Sequence, residues 1–294
     1  MNNPLLCLDV GGTEIKGAVV QDGQVLTELQ HFPSKSHEDR ETILQNFESI
    51  FRTLRQKIDA PAIGGLRLAF PGPFDYENGI CLVQGLDKYD ALYGVSLREE
   101  LFQRLQGWVP APSDIRFVND VAAFALGETH YGDAKGSARS MSICIGTGCG
   151  CGSAFCVGEH QAPRGVDGVP ESGEIYATPF LGKTIDDIVS KRGVMELSEQ
   201  RLGKAMEGAE LSARVAAGDA AAAACFLEFG TRVRDALAPF LHTFRPECLC
   251  LGGQITRSFS MFGAPLQALC QELNITLYVA ADPSVLAMQG LCTL

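Results

Sequence analysis

The sequence lacks a long hydrophobic run, a basic leader segment and any block of basic residues. No stretch of the 294 residues approaches the roughly 18–20 apolar residues of a membrane span. The opening residues, MNNPLLCLDV, hold no basic region ahead of an apolar segment, so we expect no signal peptide. The net charge is −11 at pH 7. Since nucleic-acid phosphates are bound by clustered lysines and arginines, we expect neither a membrane nor a nucleic acid as partner.

The cysteine spacing of a zinc site is also missing. The chain has eleven cysteines, an odd number, and no two of them are spaced as CxxC. Several lie within apolar, strand-like runs, where cysteine behaves as a small hydrophobic residue. We therefore expect reduced thiols, a cytoplasmic location and no zinc.

What the sequence does contain is a repeated pattern of strands and helices. Its length suits one large domain or two ordinary ones. Two halves each begin with a glycine-cornered β-hairpin, LDVGGTEIKGAVV at 8–20 and SMSICIGTGCGCGSAFCV at 140–157. Both continue into mixed strands and helices. The pattern predicts an α/β protein built by internal duplication, with its boundary near residue 118.

Three glycine-rich corners follow apolar strands: DVGGT at 9–13, IGTGCGCG at 145–152 and LGGQI at 251–255. None has GxGxxG or GxxxxGK[ST] spacing, which excludes the Rossmann and P-loop interpretations. An ordinary hairpin turn explains the first corner taken alone. Glycines also leave backbone N–H groups open to phosphate oxygens, and a carboxylate such as Asp9 suits a hydrated Mg²⁺. Together the corners favour a phosphate-binding site.

The stretch VNDVAAFALGE places Asn119 and Asp120 where a strand ends and a helix begins. Asp120 is well placed to cap that helix, which is the simpler interpretation of the pair alone. Phosphoryl transfer to a hydroxyl group, however, needs a carboxylate that accepts the hydroxyl proton. A crevice at strand ends is where such a group belongs, so the three glycine corners give the catalytic role of Asp120 more weight.

In chain order, the motifs DxGGT, PGP, NDxxAxxxGE, GTGxGxG, GE and LGG resemble the ROK family of sugar kinases, bacterial glucokinases among them. The resemblance runs from about residue 5 to residue 256. It implies the duplicated actin-like ATPase fold, which is ribonuclease H-like, with two domains and a cleft between them. The implied N-terminal domain covers 1–118 and is completed by a C-terminal helix at about 282–294, and the C-terminal domain covers 119–281.

The resemblance also implies site residues, each by its place in a motif. Asp120 matches the catalytic base, and the implied sugar-binding residues are Asn119, Gly72, Glu174 and Asp186. ATP and Mg²⁺ are the implied cofactors, with Mg²⁺ carried by ATP and reached from Asp9 through water. The residues implied to bind the nucleotide are Asp9, Gly11, Gly12 and Thr13 in the first phosphate loop, Gly146, Thr147 and Gly148 in the second, and Gly252 and Gly253 on the adenosine side.

Two departures from the family pattern bear on the substrate. The segment GEIYATPFLGKTIDD has Ala177 where the family has a histidine, and no cysteine occurs between 157 and 224, so the family's zinc loop is missing. The segment VQGLDKYDALYGVSL lacks the family's Asn-Leu and Trp. Its charged residues Asp87, Lys88 and Asp90 either contact an unusual substrate or, as the simpler interpretation, belong to a solvated loop.

The expected function is therefore ATP-dependent phosphorylation of a hexose or a related sugar by a homodimeric enzyme. The missing histidine leaves N-acetylated hexosamines, fructose and β-glucosides open as substrates. A sugar-binding regulatory protein of the same fold is the alternative, and an actin-like polymer protein is a third. The lack of room before residue 5 for a DNA-binding helix-turn-helix, together with the intact Asp120, favours the kinase.

Overall fold

The computed structural model describes residues 2–146 and 155–294, together with the backbone of Cys149 and Gly150. The chain forms two compact units, one comprising the residues up to Tyr131 with Ser284–Leu294, the other Gly132–Pro283. The sequence places the boundary near residue 118. In the structure it lies after the helix that begins at Asp120, because that helix packs on strands of the first unit.

A mixed sheet forms the centre of the first unit. The strands of the first unit are β1 (Leu5–Val10), β2 (Glu14–Gln21), β3 (Gln24–Val25), β4 (Gln30–Pro33), β5 (Gly65–Phe70), β6 (Phe74–Asp75), β7 (Ile80–Cys81) and β8 (Ile115–Asn119). The helices of this unit are α1 (Arg40–Arg55), α2 (Leu97–Arg104) and α3 (Asp120–Tyr131). The main sheet has the order β3-β2-β1-β5-β8, with β4 paired to β2. Strands β1 and β2 form the predicted hairpin, while β1, β5 and β8 run parallel. The carboxyl ends of these three strands therefore lie along one edge.

Helix α1 covers this sheet with the apolar face that the sequence predicts. Asp39 begins the helix by accepting a hydrogen bond from the backbone N–H of Thr42. One stripe of α1 is buried and joins the core that includes β1 and β5; it comprises Ile43, Leu44, Phe47, Ile50, Phe51 and Leu54. Burial of this stripe holds the sheet rigid behind its carboxyl edge.

The second unit repeats the arrangement. Its elements are the strands β9 (Arg139–Ile145), β10 (Cys149–Gly150), β11 (Phe155–Val157), β12 (His160–Gln161), β13 (Pro179–Phe180), β14 (Lys183–Thr184), β15 (Cys248–Gly252) and β16 (Thr276–Val279), and the helices α4 (Ile185–Ile188), α5 (Lys191–Leu202), α6 (Gly208–Ala216), α7 (Ala220–Phe244), α8 (Phe259–Phe262) and α9 (Ala264–Glu272). The main sheet has the order β12-β11-β9-β15-β16, with β10 paired to β9. Strand β11 is antiparallel to β9, and β9, β15 and β16 are parallel. The predicted α/β class is confirmed, with two mixed sheets.

Helix α10 (Pro283–Gly290) returns the chain to the first unit, where glycines allow it to cross α3 closely. A Cβ on Gly127 would lie 1.9 Å from the carbonyl oxygen of Leu286, and one on Gly290 would lie 1.9 Å from that of Ala123. Since no side chain fits at either position, the two backbones are in direct contact. This crossing fixes α3, and with it the position of Asp120.

In the part of the chain that the structure describes, no helix combines the length and the apolar character that crossing a membrane requires.

Candidate active site

The carboxyl edge of the first sheet brings together polar residues from two strands, β1 and β8, and from the start of α3. In the parallel register, Asp9 of β1 pairs with Ala69 of β5, and Phe70 of β5 pairs with Asn119 of β8. Asp120 follows at once as the first residue of α3. The register therefore brings Asp9, Asn119 and Asp120, which are far apart in sequence, to the same edge of one sheet.

Asn119, not Asp120, caps helix α3. Its Oδ1 accepts hydrogen bonds from the backbone N–H groups of Val121, at 2.9 Å, and Ala122, at 3.2 Å. Asp120 accepts one bond, from Val121 at 3.0 Å. Capping, the simpler interpretation offered for Asp120, thus falls mainly to its neighbour. The carboxylate of Asp120 keeps acceptor positions for other partners.

Burial shifts both carboxylates of this edge toward their protonated forms. It raises the pKa of Asp9 to about 6, a shift that the charge of Lys16 opposes and that of Asp120 reinforces. Burial also raises the pKa of Asp120, against the lowering effects of the Val121 hydrogen bond and the charge of Lys88. Two partly buried acids whose charges repel each other are typical of sites where a proton or a cation is handled.

Hydrogen bonds fix the peptide planes of the first glycine corner, which contains Gly11, Gly12 and Thr13. The Gly11 N–H donates to the Glu14 carbonyl at 2.9 Å, and a Cβ on Gly11 would lie 2.7 Å from that oxygen. The Gly11 carbonyl accepts from the Tyr89 hydroxyl at 2.8 Å. The Gly12 carbonyl accepts from the hydroxyls of Ser34 and Ser36. Side chains from two other loops therefore fix the backbone of this corner.

The charged loop around Lys88 behaves differently from the solvated loop that the sequence favours. Asp87 is fully exposed, and Asp90 accepts a hydrogen bond from the N–H of Gly85 in its own loop. Lys88, by contrast, is half-buried, and its aliphatic stem covers Gly12. A Cβ on Gly12 would lie 3.1 Å from Cδ of Lys88. The solvated interpretation holds for the two aspartates and fails for Lys88.

Tyr76 connects the PGP turn with Asn119. Its hydroxyl donates to the carbonyl of Phe70 at 3.0 Å and accepts from Nδ2 of Asn119 at 3.3 Å. Gly72 lies against the same group, since a Cβ there would be 3.4 Å from the Tyr76 hydroxyl. The structure therefore brings together Gly72 and Asn119, the two sugar-binding residues expected in the first unit, and orients the Asn119 amide.

In the second unit, the described glycines of the two remaining corners lie side by side. Gly252 of β15 pairs with Cys144 of β9, and Gly253 follows with a φ of 95°. A Cβ on Gly253 would lie 2.4 Å from the carbonyl oxygen of Ile145, so the position requires glycine. The carbonyl of Gly146 accepts from the N–H of Lys191 at 2.8 Å. Thr147 and Gly148 lie outside the described residues.

Glu174 and Asp186, the two acids expected to contact sugar, meet at Tyr176. The Asp186 N–H donates to the Tyr176 carbonyl at 3.0 Å, and the Tyr176 side chain is hydrogen-bonded to Glu174. Burial raises the pKa of the Tyr176 hydroxyl, and the charges of both acids raise it further. Arg192 forms an ion pair with Asp186. These four residues form one polar cluster beside the exposed Ala177.

Among residues 2–146 and 155–294, no three His, Cys, Asp or Glu side chains form a group that could hold a metal ion. The expected absence of zinc stays a prediction.

Sequence reasoning missed three residues of these clusters and undervalued Lys88. Tyr76 and Tyr89 each present a hydroxyl to a strand end or a corner, and Tyr176 contacts two acids. The only signal was an aromatic residue within a charged or glycine-rich segment, which packing explains equally well.

The chain belongs to the ROK family, whose family model matches residues 5–286. It is 27% identical to the glucokinase of Thermotoga maritima over 296 residues, which covers 90% of this chain and 86% of that protein. The crystal structure of a ROK hexokinase from Thermus thermophilus superposes with a TM-score of 0.76 at 20% identity, covering 98% of this chain and 96% of that one. A ROK family glucokinase from Streptomyces griseus, in complex with glucose and AMPPNP, gives a TM-score of 0.74 at 18% identity, with coverages of 99% and 98%. The predicted resemblance and fold are confirmed.

Proposed function

We propose that this chain transfers the γ-phosphoryl group of ATP, with Mg²⁺, to a hydroxyl group of a hexose or a related sugar. The observation that carries the proposal is Asp120, a half-buried carboxylate at the carboxyl edge of the first sheet whose neighbour Asn119 caps the helix. Family membership supports it, as do the glucokinase and hexokinase activities named for the similar proteins.

Asp120 would act as general base. Its raised pKa matches this role, because a base with a pKa nearer to neutrality accepts a hydroxyl proton more readily than an ordinary aspartate does. Asn119 and Gly72 would contact the sugar in the first unit. Amides of Gly11, Gly12 and Thr13 would bind phosphate oxygens.

Asp9 fits a hydrated Mg²⁺ ion. Within the described residues its carboxylate accepts no hydrogen bond and joins no ion pair, and burial raises its pKa to about 6. A nearby cation would stabilise the ionised form. Mg²⁺ prefers one or two carboxylates and retains its waters, so Asp9 would hold it through water. When bound with ATP, Mg²⁺ neutralises charge on the phosphate oxygens.

The second unit would supply the remaining contacts. We assign the nucleotide to Gly146, Thr147, Gly148, Gly252 and Gly253. Glu174 and Asp186 would accept hydrogen bonds from sugar hydroxyls, as charged acceptors commonly do. Tyr176 contacts both of these acids and has a ring suited to the apolar face of a sugar.

The identity of the sugar is open to a direct assay. Ala177 replaces a histidine of the family pattern, so N-acetylated hexosamines, fructose and β-glucosides are tested beside glucose. ADP release is followed for each sugar with saturating ATP and Mg²⁺. Turnover above the sugar-free rate with at least one sugar supports the kinase. Sugar binding without turnover contradicts it and leaves a regulatory sugar-binding protein.

We also predict that the folded protein holds no structural zinc. The segment GEIYATPFLGKTIDD offers no thiolate, whereas structural zinc sites use about four nitrogen or sulfur ligands in a tetrahedron. Elemental analysis after dialysis against a chelator measures this. One zinc per chain that resists the chelator would contradict the prediction.

A further inference from the structure

Lys88 has a fixed backbone, although it lies in a loop of charged residues. The next residue, Tyr89, is fully buried and adopts a left-handed conformation with a φ of 58°. Its N–H donates to the Ser36 carbonyl at 2.7 Å, its hydroxyl donates to Gly11, and its ring packs on Phe47 and Phe70. Because these contacts fix Tyr89 in the core, they also fix the backbone position from which the Lys88 side chain extends.

The side chain of Lys88 runs from that point across the first glycine corner. Its Cβ and Cδ lie 3.6 Å and 3.1 Å from the place where a Cβ on Gly12 would be. Beyond the stem, its charge acts on Asp120, whose pKa it lowers. Within the described residues Lys88 and Asp120 form no ion pair within 4.0 Å, so direct contact with this carboxylate does not neutralise the Lys88 ammonium group.

This location coincides with the path of phosphoryl transfer in the proposed function. The γ-phosphoryl group passes from a nucleotide at the glycine corner to a hydroxyl group that Asp120 deprotonates. Its transition state spreads negative charge over three oxygens, and a preorganised cation is the device that stabilises such charge. Lysine supplies a compact point charge with three donors.

We propose that Lys88 is a further catalytic residue, which contacts the transferring phosphoryl group while its stem covers Gly12. In this step the sugar hydroxyl oxygen forms a bond to the γ-phosphorus, and the bond from the γ-phosphorus to the β,γ-bridging oxygen breaks. The bridging oxygen leaves on ADP with the electron pair, and the hydroxyl proton goes to Asp120. Lys88 keeps its proton and stabilises the phosphoryl oxygens throughout. The inference rests on the proposed kinase function.

The test compares Lys88→Met, which keeps the stem and removes the charge, with Lys88→Arg, which keeps the charge. Lys57→Met, at an exposed lysine after α1, is the matched control. We expect Lys88→Met to lower kcat by about 10²–10³-fold, the effect of removing one donor to a developing oxyanion. The KM for sugar should change little, Lys88→Arg should recover part of kcat, and Lys57→Met should match the wild type.

The pH profile provides a second readout that a purely structural role would not move. The charges facing Asp120 come from the Lys88 loop and from Asp9 on β1, and Lys16 and Glu14 act in turn on Asp9. Since Lys88 lowers the pKa of Asp120, the acid limb of kcat should move to higher pH in Lys88→Met. Urea unfolding midpoints confirm that each variant is folded.

The outcomes separate this inference from the proposed function. Wild-type kcat and an unchanged acid limb in Lys88→Met overturn the inference and leave the kinase in place. A rise in sugar KM with normal kcat also overturns it, because Lys88 would then recognise the substrate. If the wild type turns over no sugar, the proposed function fails. The affinity for AMPPNP with Mg²⁺ then tests whether Lys88 contacts the phosphates. Equal affinity in wild type and Lys88→Met overturns this contact, and weaker binding in Lys88→Met supports it.

Discussion

The two units share one strand order but place different chemistry at the carboxyl ends of corresponding strands. Strands β1, β2, β5 and β8 of the first unit correspond to β9, β11, β15 and β16 of the second. Asp9 is the penultimate residue of β1 and β8 leads into Asp120, whereas the corresponding strand β9 has Cys144 in the penultimate position and β16 leads into Ala280. Duplication supplied the same sheet twice, and the strand ends carry these acids in the first copy only, whereas glycine follows both β1 and β9.

The difference shows which features of a duplicated sheet are free to change. Packing constrains the strands themselves, because all six residues of β5 and all five of β15 are buried. The residues that follow β1, β8, β9 and β15 are only partly buried, so packing leaves these positions free to carry functional groups. We infer that only the first unit supplies the acids that activate the acceptor hydroxyl, whereas the glycine corners of both units bind the nucleotide. The predictions below test this division.

Asp120→Asn should have the largest effect. Removing a general base costs on the order of 10²–10⁴ in kcat. Sugar binding and folding should be nearly intact, because Asn119 retains the helix cap. Steady-state kinetics and sugar titration measure both, with Asp87→Asn at a fully exposed position of the same unit as control. A variant with more than half of the wild-type kcat would remove Asp120 from the mechanism.

Gly12→Val should come next. The new side chain points at the Lys88 stem, whose Cδ lies 3.1 Å from the Cβ position, so it displaces a flexible side chain beside the phosphates. A misplacement of about 1 Å can cost roughly 10²-fold in rate. We expect a raised KM for ATP and a lower kcat, with unchanged sugar affinity. Loss of stability with normal ATP kinetics would indicate that the corner is only a hairpin turn and does not bind phosphate.

Gly253→Ala should act on stability first. The alanine would adopt a φ of 95° and bring its Cβ to 2.4 Å from the Ile145 carbonyl. Strain of this kind costs about 1–3 kcal/mol. Gly146→Ala is the matched control, because a Cβ there meets nothing within 4 Å. The urea unfolding midpoint should be lower for Gly253→Ala than for Gly146→Ala. Both variants should bind ATP more weakly if the second unit binds the nucleotide. Equal unfolding midpoints would refute the conformational argument.

Asp9→Asn should have a small effect on folding stability that depends on pH. Burial raises the pKa of Asp9 from 3.8 to about 6, so between these values the folded state binds a proton that the unfolded state has lost. The stability that Asp9 contributes is therefore greatest below about pH 4 and falls as the pH rises through about 6. At pH 7, Asp9→Asn should therefore be more stable than the wild type. As the pH rises through about 6, the stability of the variant should fall less than that of the wild type. Unfolding midpoints from pH 4 to 8 test it, and parallel curves for the two proteins would contradict it.

Much of the fold was predictable because its signals are local. The spacing of Ile43, Phe47, Ile50 and Leu54 predicted α1, and the glycine corners predicted both hairpins. The unit boundary was harder to predict, because α3 joins the first unit through its crossing with α10, a contact between distant segments. The candidate site likewise contains residues with a local sequence signal and residues without one. Motif positions indicated Asp9, Asn119 and Asp120, whereas Tyr76 and Tyr89 in the first unit and Tyr176 in the second followed from no local pattern.

The sequence by itself determined the class of fold, the family and the positions of the acids and glycines at strand ends. Strand periodicity, glycine at tight corners and a polar residue at a helix start are all set by the chain's own backbone over a few residues. Only the tertiary structure decided that Asn119 caps α3 in place of Asp120, and that Lys88 covers Gly12 while Asp87 points to solvent. Burial and charge depend on what other segments bring to the same place, so the chemistry of each acid was fixed only when the sheet assembled.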